Sequence, residues 1–261
     1  MLHSGTIGGG ENIIIFVHGN SQSLHTWDAV ISREELRKYT RIAVDLPGHG
    51  LSFWSKEPEK DYSASGFAKH LNEFLLNYSN RKFILVGSSL GSSVIGELNP
   101  FPSSCKGAVL IGAMLSTKGV TVKDMLQPGV SSTAGFKGDP SDEEIEYLID
   151  HITDRADQER REHFKTVFRK TDPNMRAYLG QSLQRPPALD KVANLTAAHI
   201  PIVVVFGEKE KLVQKSYLES RNLPLWQDRI FTIPDAGHCI ELDQPAPLAG
   251  LIDAFAGECF K

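Results

Sequence analysis

The sequence predicts an α/β fold: a mostly parallel sheet covered by helices on both faces, with a helical cap inserted into it. Three observations carry that expectation. Short apolar runs rich in β-branched residues recur along the chain and end in turn chemistry; runs that are apolar at every residue suit strands buried on both faces. Helix-period segments lie between several of these runs, and such alternation implies a parallel sheet with helices above and below it. From about 116 to 190 the alternation stops, with three helical patterns and no strand-like run.

Taken in order, the runs are IIIFV (13–17), RIAVD (41–45), KFILVG (82–87), AVLIG (108–112), IPIVVVFG (200–207) and RIFTIP (229–234). The glycines of GTIGGG precede the first run rather than follow it, so they read as a flexible turn and not as a dinucleotide site. In 64–79, Phe67, Leu71, Phe74, Leu75 and Tyr78 share one helical face, as do Leu248, Leu251, Ile252, Phe255 and Cys259 near the end. Ser141 and Glu144 have capping-box spacing before Ile145, Leu148, Ile149 and Ile152. Asp172-Pro173 opens a further helix with Met175, Tyr178, Leu179 and Leu183 on one face, and Pro186-Pro187 closes it. The mixed-sign stretch DRADQERREHFKTVFRKTD reads as a solvated helix face. The expected domains are a core of residues 1–115 and 191–261 and a cap of residues 116–190.

Composition bounds the function. A chain of 261 residues, 41% hydrophobic, can bury a sizeable core as one domain with an insertion. A formal net charge of −4 gives no electrostatic reason to expect nucleic acid or an anionic membrane surface as partner, so a small molecule fits better. Cys105, Cys239 and Cys259 are an odd set without CxxC spacing, which argues against a disulfide framework and a structural zinc site. No charged leader precedes the first apolar run, and no run reaches the roughly 18 apolar residues of a membrane span. A cytoplasmic setting is the expectation, with no cofactor and no metal; oligomeric state is not legible.

In open α/β sheets sites form beyond the carboxyl ends of the strands. The segments found there are HGNS (18–21), DLPGHG (45–50), GSSLG (87–91), EKEKLV (208–213) and DAGHCIELD (235–243). A serine hydroxyl needs an adjacent base, itself oriented by a third group, and Ser89, Glu210 and His238 offer a nucleophile, an acid and a base in that chain order. Gly87 and Gly91 flank Ser89 in the G-x-S-x-G pattern of a strained strand-to-helix turn; Ser88 lacks the first glycine, because Val86 stands there. Backbone N–H groups of Leu90 and Asn20 are the expected oxyanion donors. Glu208 is a second acid close to Glu210. His18 and His49 are expected to support loops rather than take part in chemistry.

Together HGNS, DLPGHGLS, GSSLG, FGEKEKLV and DAGHCIEL resemble the α/β-hydrolase family over nearly the whole chain and, within it, the serine-dependent N-acyl-homoserine lactonases of the AidH type. The resemblance implies a serine esterase or lactonase that works through an acyl-enzyme without a metal. Family members usually carry aspartate where Glu210 stands, and usually have two strands before the oxyanion turn. With 17 residues before His18, an N-terminal strand is expected to be shortened or absent. Met114, Leu115 and Tyr178, with Met125, Phe136 and Phe164, are the expected apolar contacts for an acyl chain. The same triad would also serve a small-molecule receptor with slow turnover, a carbon–carbon bond hydrolase or a perhydrolase.

Overall fold

Six strands occupy the apolar runs: β2 (Ile13–Val17), β3 (Thr40–Val44), β4 (Phe83–Ser88), β5 (Cys105–Ile111), β6 (Ile202–Gly207) and β7 (Phe231–Ile233). A seventh, β1 (Ser4–Ile7), precedes them. They form one sheet in the order β1-β3-β2-β4-β5-β6-β7, parallel throughout except that β1 runs antiparallel to β3, with Ser4 opposite Val44. The computed structural model describes every residue but Thr121, Ser132, Arg155, Pro186, Ala188 and Ser220, and the side chain of Lys123. The expected stop at Pro186 and the place of Arg155 in the charged stretch lie outside the described residues.

β1 corrects the reading of GTIGGG as a turn alone. Its four residues are half-buried to exposed, so no apolar run announces it, and only the glycines that follow form the turn, Gly8 with φ +84°. The N-terminal strand is short, not absent.

Successive strand residues point to opposite faces, and the two cores divide accordingly. Ile13, Ile15, Val17, Leu85, Leu110, Val204 and Phe206 pack under the helices Ala64–Leu75 and Leu90–Gly96. Ile14, Phe16, Ile84, Val86, Val109, Val203 and Val205 pack under the C-terminal helix Pro245–Cys259, which supplies Leu248, Ile252 and Phe255. Each fully buried aliphatic side chain contributes roughly 1.5–3 kcal/mol, which anchors the strand ends that carry the site.

Between β5 and β6 the named elements are helical, chiefly Asp142–Ile152, Gln158–Lys170 and Pro173–Ser182. The Ser141–Glu144 capping box forms, and Asp157 and Asp172 cap the next two helices. Ile145, Leu148, Ile149, Phe164, Phe168, Met175 and Leu179 join the first of the two cores. On the outer side Arg161 pairs with Glu146 at 2.6 Å and with Asp150, and Arg169 pairs with Asp142, as a solvated charged face does. Both ends of the segment meet: Lys191 N donates to Ser116 O at 3.0 Å, while Asp190 Oδ2 accepts from Thr117 Oγ1 at 2.7 Å and Lys118 N at 3.0 Å. Its helices are also tied to the loop after β3, through Asp172 N to Gly48 O at 2.9 Å and Tyr62 Oη to Asp172 Oδ2 at 2.6 Å. Among the described residues no helix is long and apolar enough to cross a membrane.

Candidate active site

Ser89 sits between β4 and the helix Leu90–Gly96 with φ +50° and ψ −110°. That conformation costs a non-glycine residue about 1–3 kcal/mol and persists only where the surroundings enforce it. Here they do. A Cβ on Gly87 would lie 2.6 Å from the Gly91 carbonyl carbon, and one on Gly91 would lie 2.3 Å from Val17 O, so only glycines let strand and helix close this tightly. Ser89 N donates to Ile111 O at 2.8 Å, and Ser92 Oγ donates to Ser89 O at 2.6 Å. Leu90, the first helical residue, presents an N–H with no preceding turn to receive it.

The turn after β2 faces Ser89. Gly19 N is taken by Gln22 Oε1 at 2.9 Å. Asn20 donates Nδ2 to Gly135 O at 2.6 Å, and its Oδ1 accepts from Ser21 Oγ at 3.0 Å, which commits its side chain. His18 and His49 are fully buried. His18 bridges Gly19 O (2.7 Å) and Leu46 N (3.1 Å), and His49 bridges Pro47 O (3.0 Å) and Ser21 N (3.1 Å). Burial lowers the pKa of both, for His49 well below its ordinary value, so they hold loops as neutral rings.

His238 follows β7 and is buried. Its Nδ1 is 2.8 Å from Glu210 Oε2, while Glu210 Oε1 accepts from Leu212 N at 2.8 Å and Val213 N at 3.1 Å. Two backbone donors and the imidazole therefore hold the carboxylate of Glu210. Glu208 instead accepts from Asp235 N at 3.4 Å at an exposed position. Burial opposes a charged His238, but the Glu210 carboxylate outweighs it, with Glu241 adding, and the pKa is raised. Among the described residues His238 Nε2 has no hydrogen-bond partner.

Two residues that the sequence did not single out shape this corner. A Cβ on Gly112 would lie 2.6 Å from His238 Cε1, so the bare backbone at the end of β5 makes room for the ring. Glu241 lies fully buried; Ser88 Oγ donates to its Oε1 at 2.9 Å, and Oε2 has no partner among the described residues. Burial pushes this carboxyl up to about 7, with Asp243 adding to the shift and Ser88 and His238 opposing it. An unfolded glutamate titrates near about 4.3. Between the two values the native state keeps a proton that the unfolded chain has lost, so this group costs stability as pH rises. Glu241→Gln, which does not titrate, is expected to gain about 3 kcal/mol relative to the parent between pH 4 and pH 8. Urea unfolding at both pH values checks this, and an equal difference at the two would sink it.

Two narrow cavities of about 60 Å³ each meet at Ser89, and both are lined by Asn20, Met114 and Phe136. One continues past Gln22, Leu148, Ile152, Phe164, Leu212 and His238. The other continues past Ser93, Met125, Leu179, Leu183, Ser116 and Lys191. Of the expected substrate contacts, Met114, Met125, Phe136 and Phe164 line these cavities, whereas Leu115 and Tyr178 line neither. Leu115 turns into the core, where a Cβ on Gly96 would lie 3.1 Å from its Cδ2, and its N–H donates to Tyr217 Oη at 2.8 Å. Tyr178 is half-buried on a helix whose inner positions are Met175 and Leu179.

The profile of the alpha/beta hydrolase family matches residues 14–251. The chain belongs to that family. Among solved structures, this hydrolase is similar to the N-acyl homoserine lactonase AidH complexed with N-butanoyl homoserine, at 21% identity and TM-score 0.87 over 99% of this chain and 93% of the other. It is also similar to a proposed aryl esterase from Burkholderia cenocepacia, at 21% identity and TM-score 0.84 over 99% and 95%. Among curated relatives, 2-succinyl-6-hydroxy-2,4-cyclohexadiene-1-carboxylate synthase of Citrobacter koseri is 25% identical over 95% of this hydrolase and 93% of its own length. An esterase of Mycobacterium tuberculosis is 38% identical over 32% of this chain, a match that spans 26% of the esterase.

Proposed function

We propose that the protein is a metal-independent serine hydrolase of small carboxylic esters or lactones, with Ser89 as nucleophile, His238 as base and Glu210 as the acid that orients it. One observation carries the reading: Ser89, on its strained turn, shares a cavity with His238, whose Nδ1 is held by Glu210. Nδ1–H donated to Glu210 leaves Nε2 as the basic nitrogen, free to take the Ser89 proton. Ser89 Oγ then attacks the carbonyl carbon, and the backbone N–H groups of Asn20 and Leu90 receive the oxyanion. His238 returns the proton to the departing alkoxide, and a water activated in the same way cleaves the acyl-enzyme. Residues 116–190 act as a cap that walls the cavities with apolar side chains.

Likeness to AidH supports a lactone among the substrates, an N-acyl-homoserine lactone included, and the esterase relatives support simple esters. The near full-length relative that is a synthase favours a second reading, in which the same serine and histidine act on a bond other than an ester. The three thiols are free, which fits a cytoplasmic setting. The test is labelling with an aryl fluorophosphonate in the presence of a chelator, together with assays on aryl esters and N-acyl-homoserine lactones. One adduct mapped to Ser89 with fast turnover supports the proposal. An adduct without turnover favours the second reading or a receptor, and no adduct at Ser89 overturns the mechanism.

A further inference from the structure

The two cavities at Ser89 differ in chemistry. The first is walled by Leu148, Ile152, Phe164 and Leu212 beyond the site residues. The second is lined in part by Ser116 and Lys191, and it shares Ala64, Ser116, Val122, Leu183 and Lys191 with a cleft of about 590 Å³ that also touches Glu97. The second cavity therefore borders the larger cleft across a shared wall that includes Lys191.

Lys191 is an unusual wall residue, since its side chain is 5% exposed and that of Glu97 is 7% exposed. Its position is tightly set. Asp190 caps the helix that Lys191 opens, with Oδ1 accepting from Ala193 N at 2.9 Å, and the Lys191 backbone N is bonded to Ser116 O. Nζ donates to Ser116 Oγ at 2.9 Å and lies 3.4 Å from Glu97 Oε1. An ammonium has three donors, and among the described residues these contacts use two. A buried N–H of a charged group gains strongly from an acceptor that reaches it. Since Glu97 already supplies the negative charge, the best acceptor is an uncharged oxygen; a carboxylate there would sit beside a second carboxylate.

Ping-pong acyl transfer assigns the two arms. The alcohol leaves first and water enters behind it, so the departing side belongs in the arm that borders the cleft, and the acyl group belongs in the apolar arm. We propose that the substrate is an ester with a short apolar acyl group and, on the departing alcohol, a carbonyl oxygen that accepts from Lys191 Nζ. This rests on the hydrolase reading above and names the substrate class for it.

The test compares butyrate esters of keto alcohols with their alkyl counterparts: 4-oxopentyl against pentyl and 5-oxohexyl against hexyl. The parent protein is expected to favour at least one keto ester roughly tenfold or more in kcat/KM. The double variant Lys191→Met with Glu97→Gln, which leaves no buried charge unpaired, is expected to bring that ratio near one. A parent ratio near one in both pairs, or an unchanged ratio in the double variant, overturns the assignment while the hydrolase reading stands. Faster turnover of 5-carboxypentyl butyrate than of the 5-oxohexyl ester overturns it too. Turnover of none of these esters removes the ester-hydrolase reading, and this inference falls with it. If the double variant does not fold, Lys191→Arg supplies the same readout, because a longer planar donor displaces the acceptor and must change the keto preference.

Discussion

Ser89→Ala is expected to lower ester turnover by a factor on the order of 10⁶, the loss typical of removing the nucleophile from a serine triad. The expectation follows from how little else the substitution touches. Backbone contacts fix Ser89, with its N–H on Ile111 O and its carbonyl receiving Ser92 Oγ, and alanine keeps both. Alanine also keeps the cost of positive φ, so the turn stays as strained as before and stability changes little. Asn20 and Leu90 remain in place, so residual activity of about 10³–10⁴ over water is expected from the oxyanion donors and binding alone. Steady-state kinetics on an aryl ester reads the effect. A variant that keeps more than a few per cent of parent turnover would show that Ser89 does not attack the carbonyl.

The sheet was legible where strands are buried on both faces. Ile13–Val17 and Ile202–Gly207 read as strands because every position must be apolar when both sides pack against helices. Ser4–Ile7 carries no such mark, since an edge strand pairs on one side only and its side chains are largely exposed. Gly87 and Gly91 were legible because their spacing encodes a turn within one short segment. Gly112 was not, because its need to be bare comes from the His238 ring, which the fold brings in from the other end of the chain.

Burial explains the remaining gaps. Leu115, like Met114, is expected as an apolar contact for an acyl chain, yet the chain leaving β5 turns the two side chains to different places, one to the cavity and one to the core. Nothing local marks Lys191 or Glu241, because sequence does not say that Glu97 will meet the first or Ser88 the second. The capping residues Ser141 and Asp172 show the opposite case: their partners lie two or three residues away, so sequence suffices to place them. Long-range polar partners are the part of a site that sequence hides.

Glu210→Gln is expected to cut turnover about 10⁴-fold with the fold intact, as loss of the orienting acid does in a serine triad. The structure gives the reason. Oε1 of Glu210 serves two backbone donors, Leu212 N and Val213 N, and Oε2 faces His238 Nδ1. A glutamine keeps its single carbonyl oxygen on the two backbone N–H groups, which turns its NH₂ toward Nδ1. Nδ1 must then accept, the ring proton moves to Nε2, and the nitrogen that would take the Ser89 proton can no longer act as base. The pH profile separates this from simple damage. In the parent, burial lowers the His238 pKa but the Glu210 charge raises it further, so the net shift is upward and kcat/KM rises as pH passes through that raised value. Without the charge only burial and the more distant Glu241 remain, so the acid limb of the variant must move to lower pH while the plateau falls. A variant whose plateau falls with an unmoved acid limb would mean that Glu210 acts through structure alone, and one with near-parent activity would assign the acid elsewhere.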